Sequence, residues 1–482
     1  MDYADNEKYI LSKEIAKALK ELGYETLTKV QEAVIPLVLA GKDVIVRSQT
    51  GSGKTAAFAI PVCEKIKIEQ KNPQVLVLTP TRELAIQLKQ EISNIGRFKG
   101  IRCAVVFGRQ PMEIQKRELR QRVHAIVGTP GRTLDHIVRQ NMNLEEVQYL
   151  VVDEADKMLD MGFIEQVEVI IKGLPVDRIT MLFSATMPDK IQEICKQYMK
   201  EALKVEVDSE RPSLETIRQV YYEVEETEKF NLITKILYAE RPDSCILFCN
   251  TRDKVEAVFE KMERKGYSCG MLHGGMEQRE RLHSIQNFKR GKFQFLIATD
   301  VAARGIHVDE VSLVVNYDIP MDNESYVHRI GRTGRAGNVG TAIILATGNE
   351  YKKLHEIEEY VHYTIPKQEA PTVEAGDIVF DCHELDPASK IDKSEKLNRQ
   401  ITRIRINAGK KTKMRPGDIL GAITNIPGIS GGNIGIIDIK DTCSYVEILG
   451  DKGDMVMEAL LATKIKGKIH KIKEVDFSNT AY

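Results

Sequence analysis

The chain lacks the features that mark membrane-spanning and secreted proteins. Its longest apolar runs, such as residues 35–40, are far shorter than the roughly 20 residues that span a bilayer. Residues 1–7 are largely polar and acidic and have no apolar core, so they do not resemble a secretory signal. We therefore expect a protein of the cytoplasm with no membrane segment.

The cysteines show no pattern of cross-linking. The 8 cysteines are scattered, and no two of them form a C-x-x-C pair. The two closest, Cys245 and Cys249, enclose three apolar residues, which predicts buried thiols rather than disulfides or zinc ligands. With 482 residues, 42% of them hydrophobic and 29% charged, the chain has the composition of a globular protein. Its length predicts roughly two to four domains.

One glycine-rich stretch organises the rest of the chain. It runs from Arg47 to Thr55 with the sequence Arg-Ser-Gln-Thr-Gly-Ser-Gly-Lys-Thr, between a predicted strand at 44–46 and a predicted helix start at 56–60. Such a turn directs backbone N–H groups at a phosphate. Lys54 would reach the outer phosphates, and the Thr55 hydroxyl would bind Mg²⁺. The alternative is a turn without a ligand, since Ser48 stands where the first glycine is usual.

Two side chains upstream of this loop suit an adenine base. The Gln31 amide can donate and accept hydrogen bonds at the same time, as the edge of adenine requires, and the Tyr24 ring can stack on the base. Neither residue alone is unusual. Their position just before a phosphate loop favours a role in reading the nucleotide base.

Several apolar runs end in polar turns typical of the ligand edge of an open α/β sheet. The turns at 79–83 and 128–132 follow predicted strands and carry Thr, Arg and backbone N–H groups suited to sugar-phosphate contacts. Ordinary capped turns are the alternative. Asp153 and Glu154 follow another strand, where one carboxylate would hold a metal and the other would deprotonate water. A solvated acidic surface is the alternative for that pair.

The alternation of strands and helices predicts parallel sheets. A polar stretch at 207–212 separates the first α/β unit from a second one, which has no phosphate loop. The second unit contains His-Arg-Ile-Gly-Arg-Thr-Gly-Arg at 328–335. These arginines either form a basic surface or are delivered across a cleft to a γ-phosphate.

The C-terminal part reads as a linker followed by a small basic domain. Residues 366–400 are polar and charged, and the pattern that follows, β-α-β-β-α-β, is ferredoxin-like, as in an RRM. Residues 401–482 contain 13 Lys and Arg against 9 Asp and Glu, a net charge of +4, which points to nucleic acid. A solvated face is the alternative. Tyr445 lies near the position where an RRM usually stacks a base, but the first strand has no aromatic ring. We therefore expect base stacking on the sheet to be weaker than in an ordinary RRM and loops to contribute more to RNA binding.

Nine motifs together resemble the DEAD-box RNA helicases. They appear in that family's order: 23–31, 48–55, 80–84, 129–132, 153–156, 184–186, 278–281, 299–305 and 328–335. The resemblance implies two RecA-like parallel-sheet domains in tandem, at 1–207 and 208–365. A linker at 366–400 and an RRM-like α+β domain of the ferredoxin type at 401–475 follow. It also implies ATP, Mg²⁺ and RNA as ligands.

The resemblance assigns roles to individual residues. The implied catalytic residues, with two arginine fingers last, are Lys54, Asp153, Glu154, Ser184, Thr186, Arg332 and Arg335. The implied nucleotide contacts are Tyr24, Lys29, Gln31, Gln49, Thr50, Gly51, Ser52, Gly53, Lys54 and Thr55, with Mg²⁺ on Thr55 and Asp153. The implied RNA contacts of the two helicase domains are Pro80, Thr81, Arg82, Gly108, Thr129, Gly131, Arg132, Gln278, Arg281, Thr299 and Arg304. In the C-terminal domain we expect Lys410, Lys411, Lys413 and Tyr445 to contact RNA.

The basic C-terminal domain is similar to that of the bacterial DbpA group of these helicases. This resemblance implies that the chain binds a hairpin of 23S-type large-subunit ribosomal RNA, acts on the pre-ribosomal large subunit and unwinds RNA locally as a monomer. An ATP-gated RNA clamp without unwinding is the alternative function. A P-loop kinase or GTPase has no support, because no Asn-Lys-x-Asp guanine signature occurs.

One departure from the family pattern yields a prediction. His307 stands where the resemblance implies an aspartate that contacts the ribose of ATP. We expect His307→Asp to restore that contact and to lower the KM for ATP in a steady-state ATPase assay. An unchanged KM would show that this position does not contribute to nucleotide binding.

Overall fold

A computed structural model of the chain describes residues 11–48, 52–206, 217–303, 311–334, 339–372 and 401–475. The chain divides into two units, one made of residues 1–207 with 392–482 and the other of residues 208–391. The first unit contains a sheet of seven strands and a sheet of four, and the second unit contains a sheet of six. None of the helices in these ranges combines the length and apolar character needed to cross a membrane.

The first sheet is parallel throughout and has the order β3-β4-β2-β5-β6-β1-β7. Its central strands, such as Val-Leu-Val-Leu at 75–78, are apolar and buried on both faces, as expected when helices cover both sides. The strands are β1 (Val44–Arg47), β2 (Val75–Leu78), β3 (Cys103–Val106), β4 (Ala125–Gly128), β5 (Tyr149–Val152), β6 (Ile179–Ser184) and β7 (Leu203–Glu206).

The helices of this domain place an apolar side against the sheet. A core cluster runs from Ile45 through Leu150 to Cys195. The helices in the described residues are α1 (Lys13–Glu21), α2 (Lys29–Leu39), α3 (Lys54–Lys65), α4 (Arg82–Ile95), α5 (Met112–Leu119), α6 (Pro130–Val138), α7 (Ala155–Asp160), α8 (Ile164–Lys172) and α9 (Asp189–Tyr198).

The second sheet is also parallel, with the order β10-β11-β9-β12-β13-β8. Its strands are β8 (Ile217–Glu223), β9 (Cys245–Phe248), β10 (Cys269–Leu272), β11 (Phe295–Ala298), β12 (Leu313–Asn316) and β13 (Gly340–Ala346). Its helices in the described residues are α10 (Lys229–Glu240), α11 (Arg252–Arg264), α12 (Gln278–Lys289), α13 (Asp300–Ala303), α14 (Asn323–Ile330) and α15 (Tyr351–Val361). Residues 366–368 continue along β8, because the Tyr221 N–H donates to the Pro366 carbonyl and the Gln368 N–H to the Tyr221 carbonyl.

The third sheet is antiparallel, with the order β15-β16-β14-β17. Its isoleucines and valines pack on two helices around one small core. The elements are β14 (Ile401–Ile406), α16 (Pro416–Thr424), β15 (Ile434–Ile439), β16 (Ser444–Leu449), α17 (Gly453–Ala462) and β17 (Ile472–Glu474). The chain order and strand order are those of a ferredoxin-like fold.

These observations confirm the predicted fold class of two parallel-sheet domains and a small α+β domain. Four strands were not predicted: β3, β7, β8 and β10. The alternation of residues 468–473 predicts the last strand from Lys468, but β17 begins four residues later, at Ile472. The stretch at 207–212 and most of the predicted linker, residues 373–400, lie outside the described residues.

Candidate nucleotide and RNA sites

The phosphate loop joins β1 to α3. Gly53 occupies the position before α3 with φ of 90°, a left-handed conformation that favours glycine. The Lys54 side chain is buried, and its Nζ donates to the Ser48 carbonyl at 3.0 Å. The Ser52 hydroxyl donates to the Ser48 hydroxyl at 3.2 Å. Gln49, Thr50 and Gly51 lie outside the described residues, so their predicted contacts stay predictions.

The predicted adenine-reading residue is bonded to this loop. Gln31 is buried, its Nε2 donates to the Gly53 carbonyl at 3.1 Å, and its Oε1 accepts from the Thr28 N–H at 3.0 Å. The Thr28 hydroxyl in turn donates to the Ser52 carbonyl at 2.9 Å. A Cβ at position 53 would lie 2.5 Å from Gln31 Nε2, so the close approach requires glycine there. In this structure the amide holds the loop.

The other two predicted nucleotide contacts upstream of the loop are Tyr24 and Lys29. Tyr24 is half-buried, and its hydroxyl donates to Glu91 Oε1 at 2.5 Å, which fixes the ring against α4. Lys29 is exposed and is the first residue of α2. The N-terminus of a helix attracts negative charge, and a lysine at that position adds to the attraction.

The two carboxylates follow β5 as predicted. Asp153 is buried and accepts from the Glu154 N–H at 3.0 Å. Burial raises the pKa of the Asp153 carboxyl to about 6, while Lys54 acts in the opposite direction. Asp153 and the hydroxyl of Thr55 are oxygen donors of the kind that Mg²⁺ prefers. The residues present therefore fit a magnesium ion, whose charge would favour the ionised form of Asp153.

Glu154 is held in an uncommon backbone conformation. Its φ of 55° and ψ of 51° are left-handed, which a non-glycine residue adopts only at a cost of order 1–3 kcal/mol. Its Oε1 lies 2.7 Å from Lys157 Nζ, one turn along α7. The i,i+3 spacing of Glu154 and Lys157 could have revealed this pair in the sequence. The strain and the ion pair together aim the carboxylate of Glu154.

Asp156 connects α7, the helix that follows Asp153 and Glu154, to the end of β6. Its Oδ2 accepts from the Ala185 N–H at 3.0 Å, the Thr186 N–H at 2.9 Å and the Thr186 hydroxyl at 3.2 Å. The Asp156 N–H donates to the Ser184 hydroxyl at 3.1 Å. Ser184 and Thr186, two of the implied catalytic residues, are thus bonded to α7.

The predicted RNA contacts of the first domain follow three adjacent strands, β2, β3 and β4. Thr81 comes just after Pro80, and its hydroxyl accepts from the Leu84 N–H at 3.3 Å and caps α4, which begins at Arg82. A Cβ at Gly108 would lie 3.5 Å from the Arg82 guanidinium, so the two positions are neighbours. Arg132 Nη1, beyond Thr129 and Gly131, donates to the Gln110 carbonyl at 2.8 Å.

Arg329 has a structural role in the motif at 328–335, because its side chain forms a buried hydrogen-bond network. It is fully buried, and all five of its N–H groups are used. Nε and Nη2 donate to the two carboxylate oxygens of Asp300 at 2.6 and 2.5 Å. Nη1 donates to Asn316 Oδ1 and the Asp318 carbonyl, and Nη2 also donates to Asn250 Oδ1. Arg329 therefore ties together the ends of β9, β11 and β12.

The structure describes four more of the predicted residues of the second domain, namely Arg332, Thr299, Gln278 and Arg281. Arg332 is buried in the turn after α14, and its N–H donates to the Arg329 carbonyl at 3.1 Å. Thr299 directly precedes Asp300 and is buried. Gln278 begins α12, and Arg281 Nη2 donates to the Ala302 carbonyl at 3.5 Å. Arg304, His307 and Arg335 lie outside the described residues.

In the C-terminal domain the lysine turn is rigid and exposed. The Lys410 and Lys411 N–H groups donate to the Lys440 and Asp441 carbonyls at 2.8 and 2.9 Å, and both side chains are exposed, as is Lys413. Tyr445 lies on the sheet face predicted to stack bases. The guanidinium of Arg403 lies 4.9 Å from the centre of its ring, so the ring already has a cationic neighbour.

Three family models match the chain. The "DEAD/DEAH box helicase" model matches residues 28–194, the "Helicase conserved C-terminal domain" model matches 228–337, and the "DbpA RNA binding domain" model matches 403–474. Each match lies within one of the predicted domains.

Similar proteins agree with these matches. The ATP-dependent RNA helicase DbpA of Bacillus subtilis is 49% identical over 97% of this chain and 98% of its own length. The DEAD-box ATP-dependent RNA helicase CshA of Geobacillus kaustophilus is 45% identical over 76% of this chain and 78% of its own length. The structure of S. cerevisiae Dbp5 L327V bound to RNA and ADP BeF3 is 31% identical, with a TM-score of 0.67, over 82% of this chain and all of that one.

The Arg329 cluster gives a prediction about stability. Lysine keeps the charge but offers three donors from one nitrogen, so Arg329→Lys cannot reach all of Asp300, Asn316 and Asn250. We expect the second domain to lose about 3 kcal/mol, because buried polar partners are left unpaired. Hydrogen exchange in β12 and α14, measured by mass spectrometry, should accelerate.

The exposed Arg264 on α11, whose side chain is 73% accessible, provides the matched control. Arg264→Lys should leave that exchange unchanged. Equal protection in Arg329→Lys and in the wild-type chain would contradict a stabilising role for the cluster.

Proposed function

Since the chain belongs to the DbpA type of DEAD-box ATP-dependent RNA helicases, we propose that it couples RNA-stimulated ATP hydrolysis to local unwinding of an RNA duplex. The proposal is supported above all by the hydrogen bonds of Asp156, which connect α7, the helix after Asp153 and Glu154, to Ser184 and Thr186 at the end of β6. A change at the hydrolytic carboxylates is thereby passed to a second strand end of the same sheet.

The proposed hydrolytic step divides the work among four side chains. Lys54 binds the outer phosphates, and Glu154 accepts the proton of the attacking water. Mg²⁺, held by Thr55 and Asp153, would neutralise charge on the phosphates. Tyr24 would stack on the base, and Lys29 would be a further contact to the nucleotide.

Two arginines of the second domain, Arg332 and Arg335, complete the proposed site as fingers that stabilise charge in the transition state. ATP and RNA together favour a closed arrangement of the two helicase domains, and hydrolysis removes the γ-phosphate that supports it. In the closed arrangement, before hydrolysis, the RNA contacts of both domains fit only a bent strand, so the partner strand of a duplex leaves.

We further propose that the C-terminal domain binds a hairpin of 23S-type large-subunit ribosomal RNA during maturation of that subunit, with the chain acting as a cytoplasmic monomer. The exposed turn at 410–413 supports this target, because its three lysines project from a rigid backbone. A backbone already held by hydrogen bonds lowers the ordering cost of binding, so only the lysine side chains have to be ordered on a phosphate backbone.

The hydrolytic role is tested by Glu154→Gln. The amide cannot accept the proton of water, so RNA-stimulated phosphate release should fall at least about 100-fold. Binding of a fluorescent ATP analogue should persist, because the phosphate contacts remain. Glu165→Gln, at an exposed position of α8, is the matched control and should behave as the wild-type chain.

Strand displacement is measured in parallel on a short RNA duplex. Retained phosphate release in Glu154→Gln would contradict the assigned base. Hydrolysis by the wild-type chain without displacement would instead favour an ATP-gated clamp.

The ribosomal target is tested by crosslinking the full chain to total RNA. We expect enrichment of one large-subunit hairpin, and we expect Lys410→Ala with Lys411→Ala to reduce it and to lower the slope of log affinity against log salt by roughly two. Lys196→Ala with Lys204→Ala, two exposed lysines of the first domain, should change neither. Diffuse crosslinks in the wild-type chain would contradict a specific ribosomal target.

A further inference from the structure

We propose that Gln115 is a positioning residue for RNA binding, although it belongs to none of the recognised motifs. Gln115 is fully buried, and it is the one residue of α5 that is. The other residues of this helix are partly or fully exposed. Leu119, at the end of this helix, packs against the core of the sheet, so α5 is anchored by a buried amide together with a partly buried leucine.

The amide of Gln115 uses its full bonding capacity. Nε2 donates to the Phe107 carbonyl at 2.8 Å and to Gln110 Oε1 at 2.7 Å. Oε1 accepts from Arg132 Nη1 at 3.2 Å and from His136 Nε2 at 3.0 Å. A primary amide offers two donors and two lone pairs, so no capacity is left. We call these five residues the Gln115 cluster.

The direction of the histidine bond follows from its other nitrogen. Asn141 Nδ2 lies 3.3 Å from His136 Nδ1 and can only donate to it. Nδ1 therefore accepts, and Nε2 carries the hydrogen that Gln115 accepts. Burial lowers the pKa of His136 to about 4, so the ring is neutral at physiological pH and keeps this arrangement.

The cluster connects two of the proposed RNA contacts. Phe107 and Gln110 flank Gly108 in the loop after β3, and Arg132 lies in the first turn of α6. Arg132 Nη1 also donates to the Gln110 carbonyl, so the guanidinium is bonded to the loop both directly and through Gln115. The inference rests on the proposed function, since it assumes that this edge contacts the RNA backbone.

A pre-formed arrangement lowers the ordering cost of binding. Without Gln115, the Arg132–Gln110 bond and the Arg132–Asp135 ion pair would remain, but RNA itself would have to supply the rest of the ordering, so more RNA would be needed. The phosphate loop follows β1, and Asp153 and Glu154 follow β5, so neither part of the nucleotide site follows β3 or β4, the strands that precede the cluster. Nucleotide binding should therefore respond much less than RNA binding.

The test compares two buried glutamines of the same domain. In Gln115→Leu we expect the RNA concentration for half-maximal ATPase stimulation to rise about tenfold. The maximal rate at saturating RNA and the KM for ATP should stay within about twofold. Gln74 is equally buried and directly precedes β2, so it lies at the amino ends of the strands, away from the RNA edge. Its Oε1 accepts from the Lys67 N–H and its Nε2 donates to the Lys67 carbonyl, both at 2.8 Å.

Gln74→Leu is therefore the matched control. It should lower the melting temperature by a similar amount and leave the RNA requirement unchanged. Gln110→Ala, at a half-buried loop position, removes one bond of the cluster with little change in the core. It should raise the RNA requirement about threefold, and it keeps the proposal testable if Gln115→Leu does not fold.

Arg132→Ala distinguishes this inference from the proposed function. If Arg132→Ala raises the RNA requirement while Gln115→Leu and Gln110→Ala do not, the inference is wrong and the proposed RNA edge stands. If Arg132→Ala has no effect, the proposed RNA contact fails and the inference fails with it. An equal loss in Gln74→Leu would reduce Gln115 to general stability and overturn its positioning role.

Discussion

The pairing of polar groups at the carboxyl edges of two parallel sheets is the constraint on which the rest of the structure depends. Strands buried on both faces deliver their polar side chains into surroundings where an unpaired donor costs about 1–3 kcal/mol. Asp156, Gln115 and Arg329 meet this constraint by bonding across several strand ends at once. The bonds that satisfy burial are therefore the bonds that connect one motif to another.

The phosphate loop is an example of two motifs that are connected by the same hydrogen bonds. Gln31 and Thr28 bind the carbonyls of Gly53 and Ser52, so the base-reading segment and the loop form one bonded piece. Under the proposed function, the Gln31 amide would bond to the base with its second N–H and its second lone pair while its first N–H stays on the Gly53 carbonyl. Recognition of adenine would then be felt directly at the residue before Lys54, with no need for a longer path.

Much of this architecture could be predicted from the sequence, and the failures have physical causes. Central strands such as β2 and β5 were predicted because both faces are buried, which makes them uniformly apolar. β7 was missed because it is an edge strand with a single buried residue, Val205. Edge strands need not be apolar, so the sequence carries little signal for them.

The direction in which a side chain points was the second feature that the sequence did not predict. Arg329 and Arg332 are three residues apart in one motif, yet Arg329 points into a buried cluster of Asp300, Asn316 and Asn250. Gln115 went unnoticed because its partners lie up to 21 residues away in sequence and share no spacing with it. Motif order predicts which strand ends meet, but the pairing of individual polar atoms depends on tertiary distances.

The C-terminal domain follows a different logic from the two larger sheets. Its sheet face carries Tyr445, and the guanidinium of Arg403 is already over that ring, a contact worth about 0.5–1 kcal/mol at an exposed site. A base that stacks there must displace the guanidinium or stack on it. Binding at the turn of residues 410–413 does not require the displacement of a guanidinium. This turn lies against the Lys440 carbonyl because Gly409 has no side chain; a Cβ there would come within 2.3 Å of the carbonyl oxygen. Under the proposed function, recognition of a hairpin would therefore depend on the spacing of its phosphates around this turn more than on stacked bases.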